Sequence, residues 1–169
     1  MRPLIACLFI LIAAAGFSTS VTTPSTTAIR GNIFLNLTAT QTGIGFTYTT
    51  TGVYYPYSNG SVAQGCQGIT CGTTGTMTIL TTGVYEVVLN TCYSINIASA
   101  LIEATLMVDG VPSSITCPRT SANNVINCDG VSGFLSLTAG NVLSVSYRAN
   151  QTGQQGAIKS MSVMLHLEQ

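Results

Sequence analysis

The sequence predicts an all-β fold, an antiparallel two-sheet jelly-roll β-sandwich of about 8–10 strands. Three observations carry that prediction. Apolar residues recur at every second position in one segment after another, the period of a strand with one buried face. Thr, Val, Ile and Tyr fill those segments, and their branched or aromatic side chains fit a pleated surface. Glycine-containing turns (Asp109-Gly110, Asp129-Gly130, Ala139-Gly140 and Thr152-Gly153) separate the segments, and no stretch sustains a helical period.

In chain order, residues 1–18 read as a secretory signal peptide. Arg2 supplies the positive start, Leu4 to Ile12 the apolar run, and Ala13-Ala14-Ala15-Gly16 the small residues suited to cleavage. The run is shorter than the ~20 residues a bilayer span needs, so no stable membrane span is expected after cleavage. Residues 19–30 show no apolar periodicity and read as a Thr/Ser-rich flexible lead-in. Residues 31–169 are the expected jelly-roll domain, long enough for one core.

Within the domain the alternation names its core. Ile33, Leu35 and Leu37 share a face, as do Tyr85, Val87 and Leu89. Ala100, Ile102, Ala104, Leu106 and Val108 share another, with Leu101, Glu103, Thr105 and Met107 opposite. Leu135 and Leu137, then Leu143, Val145 and Tyr147, then Met161, Val163, Leu165 and Leu167 complete the set. The segment from Ala98 to Asp109 is apolar on both faces. That predicts a second cover for it, either a subunit interface or a loop of the same chain. The pentapeptide TTGVY occurs at Thr50–Tyr54 and at Thr81–Tyr85, with no third copy at the same spacing, so it does not mark a repeat architecture. The second copy runs into an alternating strand. The first runs into Tyr55-Pro56-Tyr57, where Pro56 lacks the N–H that a central strand needs, and so reads as edge or loop.

Charge is sparse. Beyond the leader, Arg30, Arg119, Arg148 and Lys159 stand against Glu86, Glu103, Asp109, Asp129 and Glu168, a net charge of −1. Nothing there would neutralise a phosphate backbone, so no nucleic-acid partner is expected. Asn36, Asn59 and Asn150 head N-glycosylation sequons, and glycans would keep a charge-poor surface soluble.

An exported chain permits disulfides. Cys66 and Cys71 bracket QGIT, a loop short enough to close locally. Cys117 and Cys128 bracket what reads as a long hairpin loop and form the second expected pair. Cys92 is then the odd one, a free thiol buried in a strand or an interchain partner.

The later segments resemble a known family. The strand-entering turn Gly83-Val84-Tyr85, the turn at Val108-Asp109-Gly110, and the pattern Leu135, Leu137, Gly140, Val142 are similar to those of the complement q-subcomponent globular head and the tumour-necrosis-factor-like (TNF-like) jelly rolls. Asn141 replaces the family's Asp after the glycine, and Met161-Ser162 stand in place of an aromatic near a glycine. The resemblance implies a compact jelly roll assembled as a homotrimer. It also implies a secreted or cell-surface module that recognises glycan or protein partners through loops.

Chemistry has little to use. His166 is the only histidine and falls opposite the core positions of its segment, no serine sits in a G-x-S-x-G elbow, and there is no C-x-x-C. Glu86 and Glu103 are the acids within strands, and a carboxylate pair can hydrolyse glycosides only at a suitable separation. No enzyme activity, resident metal or cofactor is therefore expected. Calcium is the one ion that Asp109 and Asp129 could serve, and so few acids argue against a tight site. Tyr54, Tyr55 and Tyr57 are the candidate ligand-contact residues. Two functions are open to these residues: the recognition module, or a self-assembling glycoprotein subunit of an extracellular coat or filament. The odd Cys92 and the Thr-rich lead-in fit the second, and the family resemblance favours the first.

Overall fold

The computed structural model describes residues 29–35, 44–56, 61–96, 100–120 and 122–168. The leader, most of the lead-in, Asn36, Leu37, Tyr57 and Asn59 lie outside them. The described residues form twelve strands and no helix: β1 (Arg30–Leu35), β2 (Ile44–Tyr48), β3 (Tyr55–Pro56), β4 (Ser61–Gln67), β5 (Ile69–Cys71), β6 (Met77–Ile79), β7 (Gly83–Ile95), β8 (Leu101–Val108), β9 (Val111–Thr120), β10 (Asn127–Leu137), β11 (Val142–Ala149) and β12 (Gln154–Leu167). The surplus over the expected number comes from β3, β5 and β6, which are only 2, 3 and 3 residues long and too short to show alternation.

The strands build two six-stranded antiparallel sheets. Sheet A runs β10-β7-β12-β1-β4, with β2 paired to the first half of β12. Sheet B runs β5-β6-β11-β8-β9, with β3 paired to β11. Alternation sets the packing. Tyr85, Val87, Leu89, Met161, Val163 and Leu165 point inward from sheet A and meet Ile102, Ala104, Leu106, Leu143, Val145 and Tyr147 from sheet B. Each large aliphatic side chain so buried contributes ~1.5–3 kcal/mol. Two polar groups caught in this layer, Thr91 Oγ1 and Tyr147 Oη, pair with each other at 2.8 Å between the sheets.

Turn chemistry closes β8 onto β9. Asp109 (φ 51°) and Gly110 (φ 79°) both adopt the left-handed conformation, as a two-residue hairpin between Val108 and Val111 requires. Asp129-Gly130 differs from its expected turn role. It lies inside β10, opposite Thr91 and Asn90 of β7, and a Cβ at position 130 would collide with the Asn90 side chain. The glycine there serves a close approach rather than a reversal.

The two TTGVY copies part company. The second leads through Gly83 into β7, where Tyr85 is fully buried. The first forms an exposed turn that ends in the short edge strand β3.

On the second face of β8 the chain itself buries Glu103, Thr105 and Met107, while Leu101 at the start of the strand is 40% exposed.

The disulfides correct the cysteine reading. Cys66 is bonded to Cys71, whereas the second bridge joins Cys92 to Cys128, and Cys117 is a buried free thiol. The reason is topological. β9 belongs to sheet B and turns Cys117 into the core, while β10 crosses to sheet A and sets Cys128 directly opposite Cys92. The segment between Cys117 and Cys128 is a crossover between sheets, not a hairpin within one.

Candidate functional site

Two surfaces gather the chemistry-bearing residues. The first is built on β8, β11 and the turn before β3. Glu103 and Arg148 face each other in register, and Arg148 pairs with the carboxylate through Nε and Nη2, both at 2.9 Å. The Tyr54 hydroxyl donates to the same carboxylate, and its ring lies 4.8 Å beneath the guanidinium carbon. Thr105 donates to Glu103 at 3.2 Å. Burial pushes the Glu103 carboxyl up, but the bonds from Tyr54 and Arg148 and the Arg148 charge outweigh it and hold the group below its ordinary value. Burial, with the bond to Glu103, raises the Tyr54 phenol.

A cavity of about 230 Å³ opens beside this network, between Gly52, Leu101, Arg148 and Asn150. Asn150 is exposed at its edge, and its Oδ1 accepts the Leu101 N–H at 2.9 Å. Tyr55 turns the other way. Its hydroxyl bonds Thr49 Oγ1 at 2.7 Å and accepts the Thr50 N–H at 2.8 Å, which lowers its phenol, and its ring packs edge-on to Tyr48. The hydroxyls of Tyr54 and Tyr55 are thus spent inside the chain. What this patch offers a ligand is ring edges, the half-exposed Arg148 and the rim of the cavity.

The second surface is the outer face of sheet A. Period two turns Val84, Glu86 and Val88 outward from β7, Met164 and His166 from β12, Phe134 from β10, and Arg30 and Asn32 from β1. Register lines them up: Phe134 stands opposite Glu86, Glu86 opposite His166, and His166 opposite Arg30. In the next row Ser132, Val88, Met164 and Asn32 align. Phe134 is 63% exposed, Met164 46% and Val84 45%, which leaves open apolar surface on this face. A groove of about 450 Å³ runs between Arg30, Asn32, Glu86, Met164 and His166.

Comparison with solved structures bears on the architecture. The Eiger TNF of S. frugiperda superposes with a TM-score of 0.61 at 19% identity, over 84% of this chain and 94% of that one. The chain has a TNF-like jelly-roll fold. The globular domain of zebrafish complement 1qA protein (TM-score 0.48, 14% identity, 82% and 95% of the two chains) and murine APRIL (0.48, 13%, 82% and 99%) also match. No family model and no curated protein matches the sequence.

On this TNF-like frame the acids singled out in the sequence stand apart or are engaged within the chain. Glu86 and Glu103 lie on the outer faces of opposite sheets, so they do not form a carboxylate pair. Asp109 spends both oxygens on the next turn, on Val142 N–H and Asn141 Nδ2, and Asp129 pairs with Arg119 at 3.2 Å. Among the described residues no helix is long and apolar enough to cross a membrane. Sequence reading missed two groupings. One is Arg148 with Tyr54 over Glu103, and the other is Glu86 with His166 and Glu168. Alternation did set Glu86 and His166 outward, but only the β7–β12 register makes them neighbours.

Proposed function

We propose that this chain is a secreted, glycosylated, non-enzymatic recognition module that assembles as a homotrimer and contacts glycan or protein partners through its loops. The TNF-like fold over 84% of the chain is the observation that carries the reading. The open apolar face of sheet A supports self-association. Phe134, Val84 and Met164 are better covered by another copy than by water, and Val88 and Glu86 lie between them. Two disulfides suit an extracellular setting. The Tyr54–Arg148 patch, with its cavity and the adjoining sequon at Asn150, is the proposed partner-contact surface. The coat or filament alternative loses one of its two supports, because Cys92 is bonded to Cys128 within the chain.

Sedimentation of the secreted protein tests the assembly. Three chains per particle are expected at micromolar concentration, falling to one in Phe134→Arg, with far-UV circular dichroism unchanged. A wild-type monomer overturns the trimer. A glycan array and a surface-protein pull-down, each repeated with Arg148→Ala, test recognition. A signal that survives the substitution moves the contact elsewhere.

A further inference from the structure

We propose that Glu86, His166 and Glu168 form a site for a divalent transition-metal ion of the zinc class on the outer face of sheet A. Among the described residues these three are the group whose ligand atoms converge. One atom from each, an imidazole nitrogen and two carboxylate oxygens, all lie within 4.8 Å of one another. The fold rather than the local sequence brings them together. Glu86 and His166 are direct partners in the β7–β12 register. Glu168 comes two residues later, where its N–H donates to Val84 O at 2.9 Å and fixes that residue beside β7. His166 Nδ1 already stands 3.7 Å from Glu168 Oε1.

The donor set selects the ion. Zinc takes nitrogen and oxygen donors at ~2.0–2.2 Å in a tetrahedron, so neighbouring donors stand ~3.3–3.5 Å apart. The exposed side chains of His166 and Glu168 can close that gap by turning about their outer bonds, with no change of backbone. An imidazole excludes a preference for calcium or magnesium, which favour all-oxygen shells. Three protein ligands leave the fourth position open to water or to a donor from another molecule.

The adjacent charge opposes the ion and so provides a test. Arg30 faces His166 from β1 on the other side and lines the same groove. Two carboxylates outnumber its one positive charge, and removing that charge should tighten binding. All three ligands come from one chain, so the site is complete in a single copy, although Glu86 lies on the face proposed for the trimer contact.

The experiment is calorimetric titration of the full secreted protein, without a histidine tag, with zinc chloride near pH 7.5. One ion per chain is expected in the monomer fraction, with no displacement by excess calcium. His166→Ala should weaken binding at least tenfold, Glu86→Gln and Glu168→Gln should each weaken it severalfold, and Arg30→Ala should strengthen it severalfold. Unchanged thermal melting of these variants in the absence of zinc separates loss of ligand from loss of fold. Absence of stoichiometric binding overturns the site. So does binding that survives His166→Ala, or binding that Arg30→Ala leaves unchanged.

Discussion

Arg148 and Glu103 grip each other across β11 and β8 through two parallel bonds of 2.9 Å, and the Tyr54 hydroxyl closes over the same carboxylate. Glu103 is 8% exposed, so this acid depends on its partners to remain charged. Breaking a fully buried pair costs ~3–5 kcal/mol. Arg148 is half-exposed, so Glu103→Gln should cost less, about 1–3 kcal/mol at pH 7. The pH dependence has a definite sign. The folded carboxyl is held below its ordinary value, so the unfolded chain protonates first as pH falls. The contribution is complete above the unfolded value of about 4.3 and is lost as pH drops through the lower folded one. Urea denaturation of wild type and Glu103→Gln at pH 7, 5 and 3 should show a gap that narrows with acid. A gap independent of pH would mean packing, not charge, is lost.

The cysteine pairing sets a bridged pair, Cys92–Cys128, against one buried thiol, Cys117. Cys92→Ser/Cys128→Ser removes a link across 36 residues and should cost about 3–4 kcal/mol. Burial, with the nearby Asp129 charge, pushes the Cys117 thiol up to about 11, so it is a poor nucleophile at neutral pH. Iodoacetamide should leave Cys117 unlabelled in the native protein and label it in denaturant, while peptide mapping recovers Cys92 joined to Cys128. A Cys117–Cys128 peptide would restore the hairpin reading.

What the sequence could show was what depends on neighbours along the chain. The alternation of Tyr85, Val87 and Leu89 or of Leu143, Val145 and Tyr147 identified inward faces, because period two is local. The Asp109-Gly110 hairpin was legible for the same reason. Cys92 with Cys128 was not, because it depends on which sheet β10 joins. Nor was the cover over Glu103, Thr105 and Met107 on the second face of β8, which comes from folding within the chain. Both TTGVY copies have the same local preference. The residues C-terminal to each copy, Glu86-Val87-Val88 in one and Tyr55-Pro56 in the other, send Tyr85 to the core and leave Tyr54 at the surface.

Tyr48 is the exception among the buried tyrosines. Tyr85 donates to Thr81 O at 2.7 Å, Tyr93 to Arg119 O at 3.2 Å, and Tyr147 shares a bond with Thr91. The Tyr48 hydroxyl is buried with no hydrogen-bond partner among the described residues, and burial raises its phenol far above the ordinary value. Its ring is held edge-on by Phe46 and Tyr55, with centroids at 4.9 and 5.6 Å, and those contacts survive removal of the oxygen. Tyr48→Phe should therefore be neutral or stabilising by up to about 1 kcal/mol, as when a desolvated polar group is removed. Thermal melting decides it. A loss above about 1 kcal/mol would assign the hydroxyl a hydrogen bond.

Asp109 ties two turns together. Its own N–H donates to Val142 O at 2.8 Å, Oδ1 accepts the Val142 N–H at 2.7 Å, and Oδ2 accepts Asn141 Nδ2 at 2.6 Å. Asn141 in turn accepts the Thr138 N–H at 2.7 Å, so one carboxylate carries the β8–β9 turn onto the β10–β11 turn. Asp109 also stands at φ 51°, a conformation that Asp and Asn tolerate better than Ala. Asp109→Ala loses both acceptors and meets backbone strain, and should cost about 2 kcal/mol. Asp109→Asn keeps one acceptor and the backbone preference, and should cost about half as much. Because both oxygens are already engaged, millimolar calcium should leave the wild-type melting temperature unchanged. A calcium-dependent rise that disappears in Asp109→Asn would show that the carboxylate exchanges its turn bonds for the ion.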